Sequence, residues 1–172
     1  MSAAVYIGLG SNLAQPSEQI LLAVAAITQL KDSTVSAVSS LYQTPPMGPQ
    51  DQPHYVNAVL ELQTTLRPLP LLHRLQAIET EQGRTRDTGR WGARTLDLDI
   101  LLYSGETSTD PVLTLPHPGI ALRSFVLYPL NEIAPQLNIT GLGNPSQLIE
   151  RLAEPCPNII NAKNLEIPPS VC

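Results

Sequence analysis

Arg94-Thr-Leu-Asp-Leu-Asp-Ile-Leu-Leu-Tyr103 is the stretch on which the reading of this chain turns. Its apolar residues fall at every second position, so Leu96, Leu98, Ile100 and Leu102 are expected on one face, with Asp97 and Asp99 together on the other. A period of two marks a β-strand whose apolar face packs against something. Just upstream, Pro68 is suited to start a helix, and Leu72, Leu75 and Ile78 give that helix one packed face as far as about Glu81. Before it, Tyr55 to Leu66 alternates again, with Val56, Ala58, Leu60 and Leu62 on one side. Val35 to Tyr42 is a further strand candidate. A helix over residues 17–30 is predicted from Ile20, Ala23, Val24, Ile27 and Leu30, with Pro16 at its start. Val5 to Leu9 is a short buried strand, followed by Gly10-Ser11-Asn12 as a turn.

The order β-α-β-β-α-β predicts an α+β protein with a ferredoxin-like core. Additional C-terminal helices are expected over 117–134, packed by Phe125, Val126, Leu127 and Ile133, and from Asn144 to Leu152. Asn144 is suited to cap the second of these ahead of Pro145. Residues 1–155 are expected to form a single domain, and 156–172, rich in proline and asparagine, an extended or loose C-terminal tail. Thr44 to Pro53, interrupted by four prolines, cannot be regular structure.

Composition narrows the function. The chain has 172 residues, of which 42% are hydrophobic and 15% charged, which suits a compact core and argues against disorder. No apolar run is long enough to span a membrane, and the start lacks the pattern of a secretion signal. Cys156 and Cys172 suggest neither a disulfide framework nor a zinc site, so the cytoplasm is the expected location. The net charge of -5 disfavours nucleic acid as a partner. Within that acidic whole, Arg84, Arg86, Arg90 and Arg94 share eleven residues with one acid, Asp87. Such a cluster suits a compact polyanion, because the guanidinium fork matches phosphate oxygens.

Asp97 and Asp99 are the centre of the candidate chemistry. Two neighbouring carboxylates repel each other unless a cation lies between them, and magnesium needs only one or two protein carboxylates, with water and phosphate completing its shell. Two acids salt-bridged to nearby arginines on a solvent-facing strand are the alternative; the arginine-rich loop favours metal plus phosphate. Arg94, at the strand entrance, is a candidate phosphate ligand. Arg84 and Arg86 either close over a nucleotide or lie on a solvated loop, and Trp91 either steadies that loop or packs on the nucleotide. Gly8-Leu-Gly10-Ser-Asn12 lacks the third glycine of a dinucleotide fingerprint and is read as a structural turn that can line a cleft. Tyr55 and Asn57 share a face and offer a ring and an amide to a planar heterocycle. His117, between Pro116 and Pro118, is held in a stiff loop as a candidate phosphate donor. Phe125, the sole phenylalanine, is either core or a second aromatic face.

These segments together resemble the 6-hydroxymethyl-7,8-dihydropterin pyrophosphokinase family. The resemblance lies in Tyr6-Ile-Gly-Leu-Gly-Ser-Asn-Leu13, Tyr42-Gln-Thr-Pro-Pro-Met-Gly-Pro49, Tyr55-Val-Asn57, Arg90-Trp-Gly-Ala-Arg-Thr-Leu-Asp-Leu-Asp-Ile100, Pro116-His-Pro118 and Arg123-Ser-Phe125. It implies a magnesium-dependent transfer of pyrophosphate from ATP to 6-hydroxymethyl-7,8-dihydropterin in folate biosynthesis, with AMP as the other product. It further implies that Asp97 and Asp99 bind two magnesium ions, and that Arg84 and Arg94 hold the phosphates. His117 and Arg123 become nucleotide contacts, and Gln76, Glu79 and Ile100 surround the adenosine. Tyr55 and Phe125 sandwich the pterin, whose edge is met by Asn57 and the backbone of Thr44, Pro45 and Met47. Departures from the family pattern are Asp87, where a basic residue is common, and Asp110-Pro-Val112, where some members carry an arginine. No membrane and no obligate protein partner are expected.

Overall fold

The structure, a computed structural model, describes residues 2–12, 15–45, 54–83 and 96–160. Among the described residues six antiparallel strands form one sheet with four α-helices: β1 (Ala3–Ser11), α1 (Pro16–Thr28), β2 (Ser33–Val38), β3 (Leu41–Thr44), β4 (Tyr55–Thr64), α2 (Pro68–Glu81), β5 (Asp97–Tyr103), α3 (Ser124–Ile133), α4 (Pro145–Leu152) and β6 (Asn158–Ile160). The sheet runs β5-β1-β4-β3-β6, and β2 also pairs with β4. The protein is therefore α+β.

Alternation sorts the side chains into two cores. Val5, Ile7 and Leu9 of β1, with Val56, Ala58, Leu60 and Leu62 of β4, pack beneath Ile20, Ala23 and Ile27 of α1 and Leu71, Leu75 and Ile78 of α2. On the opposite face, Tyr6, Val59, Leu101 and Leu102 pack under Val126, Leu127 and Leu130 of α3 and Leu148 of α4. The helices start where proline and capping chemistry predict. Pro16 and Pro68 occupy the first turns of α1 and α2, and Asn144 forms a complete capping box with Gln147.

Local periodicity misjudged three features. The expected turn at Gly10-Ser11 is strand: both residues pair with β4, at Asn57 and Val56. The expected strand Val35–Tyr42 is two strands, because at Ser39 the Val59 amide donates to the Ser39 side-chain oxygen, at 2.9 Å, instead of to a ladder carbonyl. Leu102 leaves the face of Leu96, Leu98 and Ile100. Tyr6 pairs with Leu102 and Ile7 with Ile100, so Leu101 is the extra residue of a β-bulge that reverses the phase. The reading of the cysteines involves Cys172, which lies outside the described residues. Asn158–Ile160 pairs with β3. Among the described residues no helix is long and apolar enough to cross a membrane.

Candidate active site

The α3–α4 layer covers only one end of its sheet face. At the other end lies a cleft of about 150 Å³, lined by Gly8, Gly10, Thr44, Tyr55, Asn57, Asp97, Asp99, Arg123 and Phe125 among others. Strand register builds its floor. Asp97 of β5 pairs with Gly10 of β1, Gly10 with Asn57 of β4, and Asn57 with Tyr42 of β3, so these four form one row across the sheet. In the neighbouring rows Asp99 stands beside Gly8, and Tyr55 beside Thr44. Asp97 and Asp99 are two residues apart on one face, roughly 7 Å along the strand.

Gly10 leaves room for a neighbouring side chain. A Cβ there would lie 2.8 Å from the Asn57 side-chain nitrogen, Nδ2. The Asn57 carboxamide thus lies over the glycine, and its Oδ1 is buried with no hydrogen-bond partner among the described residues. A buried carbonyl oxygen without a donor is costly, which suits an amide meant for a ligand's N–H groups. At Gly8 the same test finds only Leu101 side-chain carbons, at 3.4 Å or more.

The wall opposite Tyr55 comes from the start of α3. Arg123 precedes the helix, with its Cζ 5.9 Å from the centre of the Phe125 ring. Gly119 lets that side chain approach, since a Cβ at 119 would stand 2.8 Å from the Arg123 Cζ. His117 is tied to β5 by its backbone N–H, which donates to the Leu101 carbonyl at 2.8 Å. Its Nδ1 accepts from the Gly119 N–H at 3.0 Å, so the neutral ring carries its proton on Nε2. Burial lowers the His117 pKa, against the charge of Asp99 and with that of Arg123, and the ring is a neutral donor at pH 7.

The structure thus brings together Thr44, Tyr55, Asn57, Asp97, Asp99, Arg123 and Phe125, with His117 within electrostatic reach of Asp99 and Arg123. Pro45, next to Thr44, is exposed, and so is Gln76 on α2. Ile100 is buried in the main core at 2% exposure. Glu79 is 4% exposed, and its Oε2 accepts from the Leu98 N–H at 2.8 Å. Among the described residues that amide belongs to an edge strand, so Glu79 holds β5 between its two aspartates. Met47, Arg84, Arg86, Trp91 and Arg94 lie outside the described residues. Gly8 and Gly10 line the cleft, as the sequence reading of that segment allowed, but the approach of Asn57 to Gly10 was passed over; the glycine spacing of two was the available signal, since it puts both on one face of a strand.

Among the described residues no group of three metal-binding side chains is assembled. Two adjacent carboxylates facing a cleft with room for further oxygens nonetheless fit magnesium, which takes few protein ligands.

A model of the family described as 7,8-dihydro-6-hydroxymethylpterin-pyrophosphokinase (HPPK) matches residues 6–135. The chain is 54% identical over 135 residues to the 2-amino-4-hydroxy-6-hydroxymethyldihydropteridine pyrophosphokinase of Pseudomonas aeruginosa, covering 78% of this chain and 83% of that one. It is 50% identical over 149 residues to the protein of the same name from Haemophilus influenzae, covering 87% and 92%. Among solved structures, wild-type HPPK-DHPS of Plasmodium falciparum with pteroate superposes with a TM-score of 0.69 at 15% identity. That likeness shows the fold alone. It covers 88% of this chain, which spans only 42% of the longer protein's length. The family match over well more than half of the sequence, joined to two relatives at or above 50% identity, shows that this chain belongs to the 7,8-dihydro-6-hydroxymethylpterin-pyrophosphokinase family.

Proposed function

We propose that this protein transfers pyrophosphate from ATP to 6-hydroxymethyl-7,8-dihydropterin, a step of folate biosynthesis, releasing AMP. The observation that carries the reading is the cleft itself: two carboxylates, a buried amide oxygen and two rings converge on one open sheet face. A planar pterin is stacked between Tyr55 and Phe125, while Asn57 and the backbone at Thr44, Pro45 and Met47 hydrogen-bond its edge. Asp97 and Asp99 hold magnesium, which when bound offsets negative charge on the ATP phosphates. Arg84, Arg94, Arg123 and the neutral His117 Nε2–H donate to phosphate oxygens, with Arg86 and Trp91 supporting the loop that carries the arginines. Gln76 and the backbone at Ile100 border the adenosine side, with Glu79 behind them.

The pterin hydroxymethyl oxygen forms a bond to the β-phosphorus. The bond from that phosphorus to the oxygen bridging the α-phosphate breaks, AMP takes the electron pair, and one proton is released. The chain's residues chiefly hold the two reactants in line and exclude water. In this reading the sheet and the two helices on its closed face form a ferredoxin-like core, residues 1–155 one domain and 156–172 its tail. The enzyme acts in the cytoplasm, on ATP and the pterin, without nucleic acid, membrane or an obligate protein partner.

The test is a product assay with purified protein, magnesium, ATP and the pterin, resolving AMP from ADP. AMP and pyrophosphorylated pterin in equal amounts, lost in Asp97→Ala and Asp99→Ala, are expected. Binding without AMP would make the protein a pterin-binding module, and ADP would mean transfer of a single phosphate.

A further inference from the structure

A carboxylate outside the cleft lining joins its two walls. Glu132, in the last turn of α3, takes hydrogen bonds from the Ser40 backbone N–H at 2.9 and 3.1 Å, from the Ser40 hydroxyl at 3.1 Å and from the Tyr42 hydroxyl at 2.5 Å. These partners lie at the start of β3, some ninety residues earlier in the chain. Tyr42 is fully buried and pairs directly with Asn57, so the contact borders the cleft floor.

The geometry resembles a lever. Phe125 and Glu132 are seven residues apart on α3, two helical turns, and therefore share a face about 10 Å apart. From Ser40 to Thr44 the opposing strand covers about 13 Å in the reverse direction. One end of this antiparallel pair is fixed by Glu132, and the other presents Phe125 on the helix and Thr44 on the strand to the cleft. The helix needs such an anchor. It has only ten residues, and Pro129 inside it cannot donate to the Phe125 carbonyl, so its own hydrogen bonding is weakest between the two points.

We infer that Glu132, through Ser40 and Tyr42, is a positioning residue that sets the width of the slot between Phe125 and the Tyr55–Asn57 face. The inference rests on the pterin reading of that cleft. Glu132 touches neither substrate; it acts through the placement of Phe125. Burial, then the Glu132 hydrogen bond, pushes the Tyr42 hydroxyl well above its ordinary pKa, so it remains a donor throughout the working pH range.

The fold supplies a matched control. Tyr6 is also buried, at 7% exposure, and its hydroxyl donates to a carboxylate, Glu61, at 2.5 Å, on the same sheet face but toward the other end of β1, under the α3–α4 layer and outside the cleft lining. Steady-state KM values for 6-hydroxymethyl-7,8-dihydropterin and for ATP, with kcat and Tm, are measured in wild type, Tyr42→Phe, Glu132→Gln and Tyr6→Phe. Tyr42→Phe is expected to raise the pterin KM by about tenfold, the scale of one lost hydrogen bond to a charged group, with the ATP KM changed less than about twofold. Tyr6→Phe lowers Tm and moves neither KM. Glu132→Gln, whose amide presents a donor to a ring of donors, exceeds Tyr42→Phe in the same direction. Identical kinetics for Tyr42→Phe and Tyr6→Phe, or a parallel rise of both KM values, would overturn the inference alone. A wild-type protein that neither binds nor turns over the pterin would overturn the pterin reading and this inference with it.

Discussion

Replacing Gly10 with alanine tests the cleft floor more sharply than removing a side chain from it. The new Cβ would meet the Asn57 Nδ2 at 2.8 Å, against a comfortable separation of about 3.5 Å, so the carboxamide must move by roughly 0.7 Å. The remaining neighbours of that Cβ are at 3.9 Å or beyond, so the strand itself is not pushed. Folding is therefore little affected: the loss of glycine's freedom in the unfolded chain stabilises by about 0.4–1 kcal/mol and offsets the local crowding. Binding geometry is less forgiving, because site groups must stay within about 0.5 Å of their working positions. A fall of about tenfold in kcat/KM for the pterin is expected, equivalent to about 1.4 kcal/mol, with Tm within a few degrees of wild type. Gly8→Ala meets only Leu101 carbons at ordinary contact distance and serves as the control with near-wild-type activity. The decisive comparison is made in an Asn57→Ala background, where Gly10→Ala should have no further effect, since its only close neighbour is gone. If Gly10→Ala left pterin kinetics unchanged, or if its effect persisted without the Asn57 side chain, the argument that Gly10 exists to seat that amide would be wrong.

Two further outcomes follow from carboxylates outside the cleft. Glu79→Ala leaves the Leu98 N–H without the bond it makes to Glu79 and should cost about 1–3 kcal/mol in denaturant unfolding, whereas Glu79→Gln keeps an acceptor and should cost clearly less; equal losses would show that the hydrogen bond is not what Glu79 contributes. Glu61 is held below its ordinary value of 4.5: burial raises it, but hydrogen bonds from Ser36, Tyr6 and Gln63 outweigh that. Its stabilising contribution is present above about pH 4.5 and is lost as pH falls through the depressed folded value, so wild type should lose stability over that acid range more steeply than Glu61→Gln, and parallel curves of Tm against pH would refute this.

What could be read from the residues alone was whatever depends on near neighbours. The alternation Val56, Ala58, Leu60 and Leu62 puts those residues in one core whatever the partner strand does, and it likewise sets Tyr55 and Asn57 on the other face. Pro16, Pro68 and the Asn144–Gln147 box mark helix starts because capping is completed within one turn. The pairing of Asp97 with Asp99 needed only a spacing of two. Register across strands was beyond such reading: the bulge at Leu101 sends Leu102 to the second core, and nothing local announces it. The row Asp97–Gly10–Asn57–Tyr42 draws on four strands, so the use of Gly10 became visible only once β1 lay between β4 and β5. Glu79 and Glu132 were likewise beyond local pattern, since each meets partners 19 or about ninety residues away and each is decided by which helix passes which strand end. Periodicity is a property of one segment and survives in isolation. Register, bulges and buried carboxylate contacts belong to pairs of segments, and only the tertiary structure decides them.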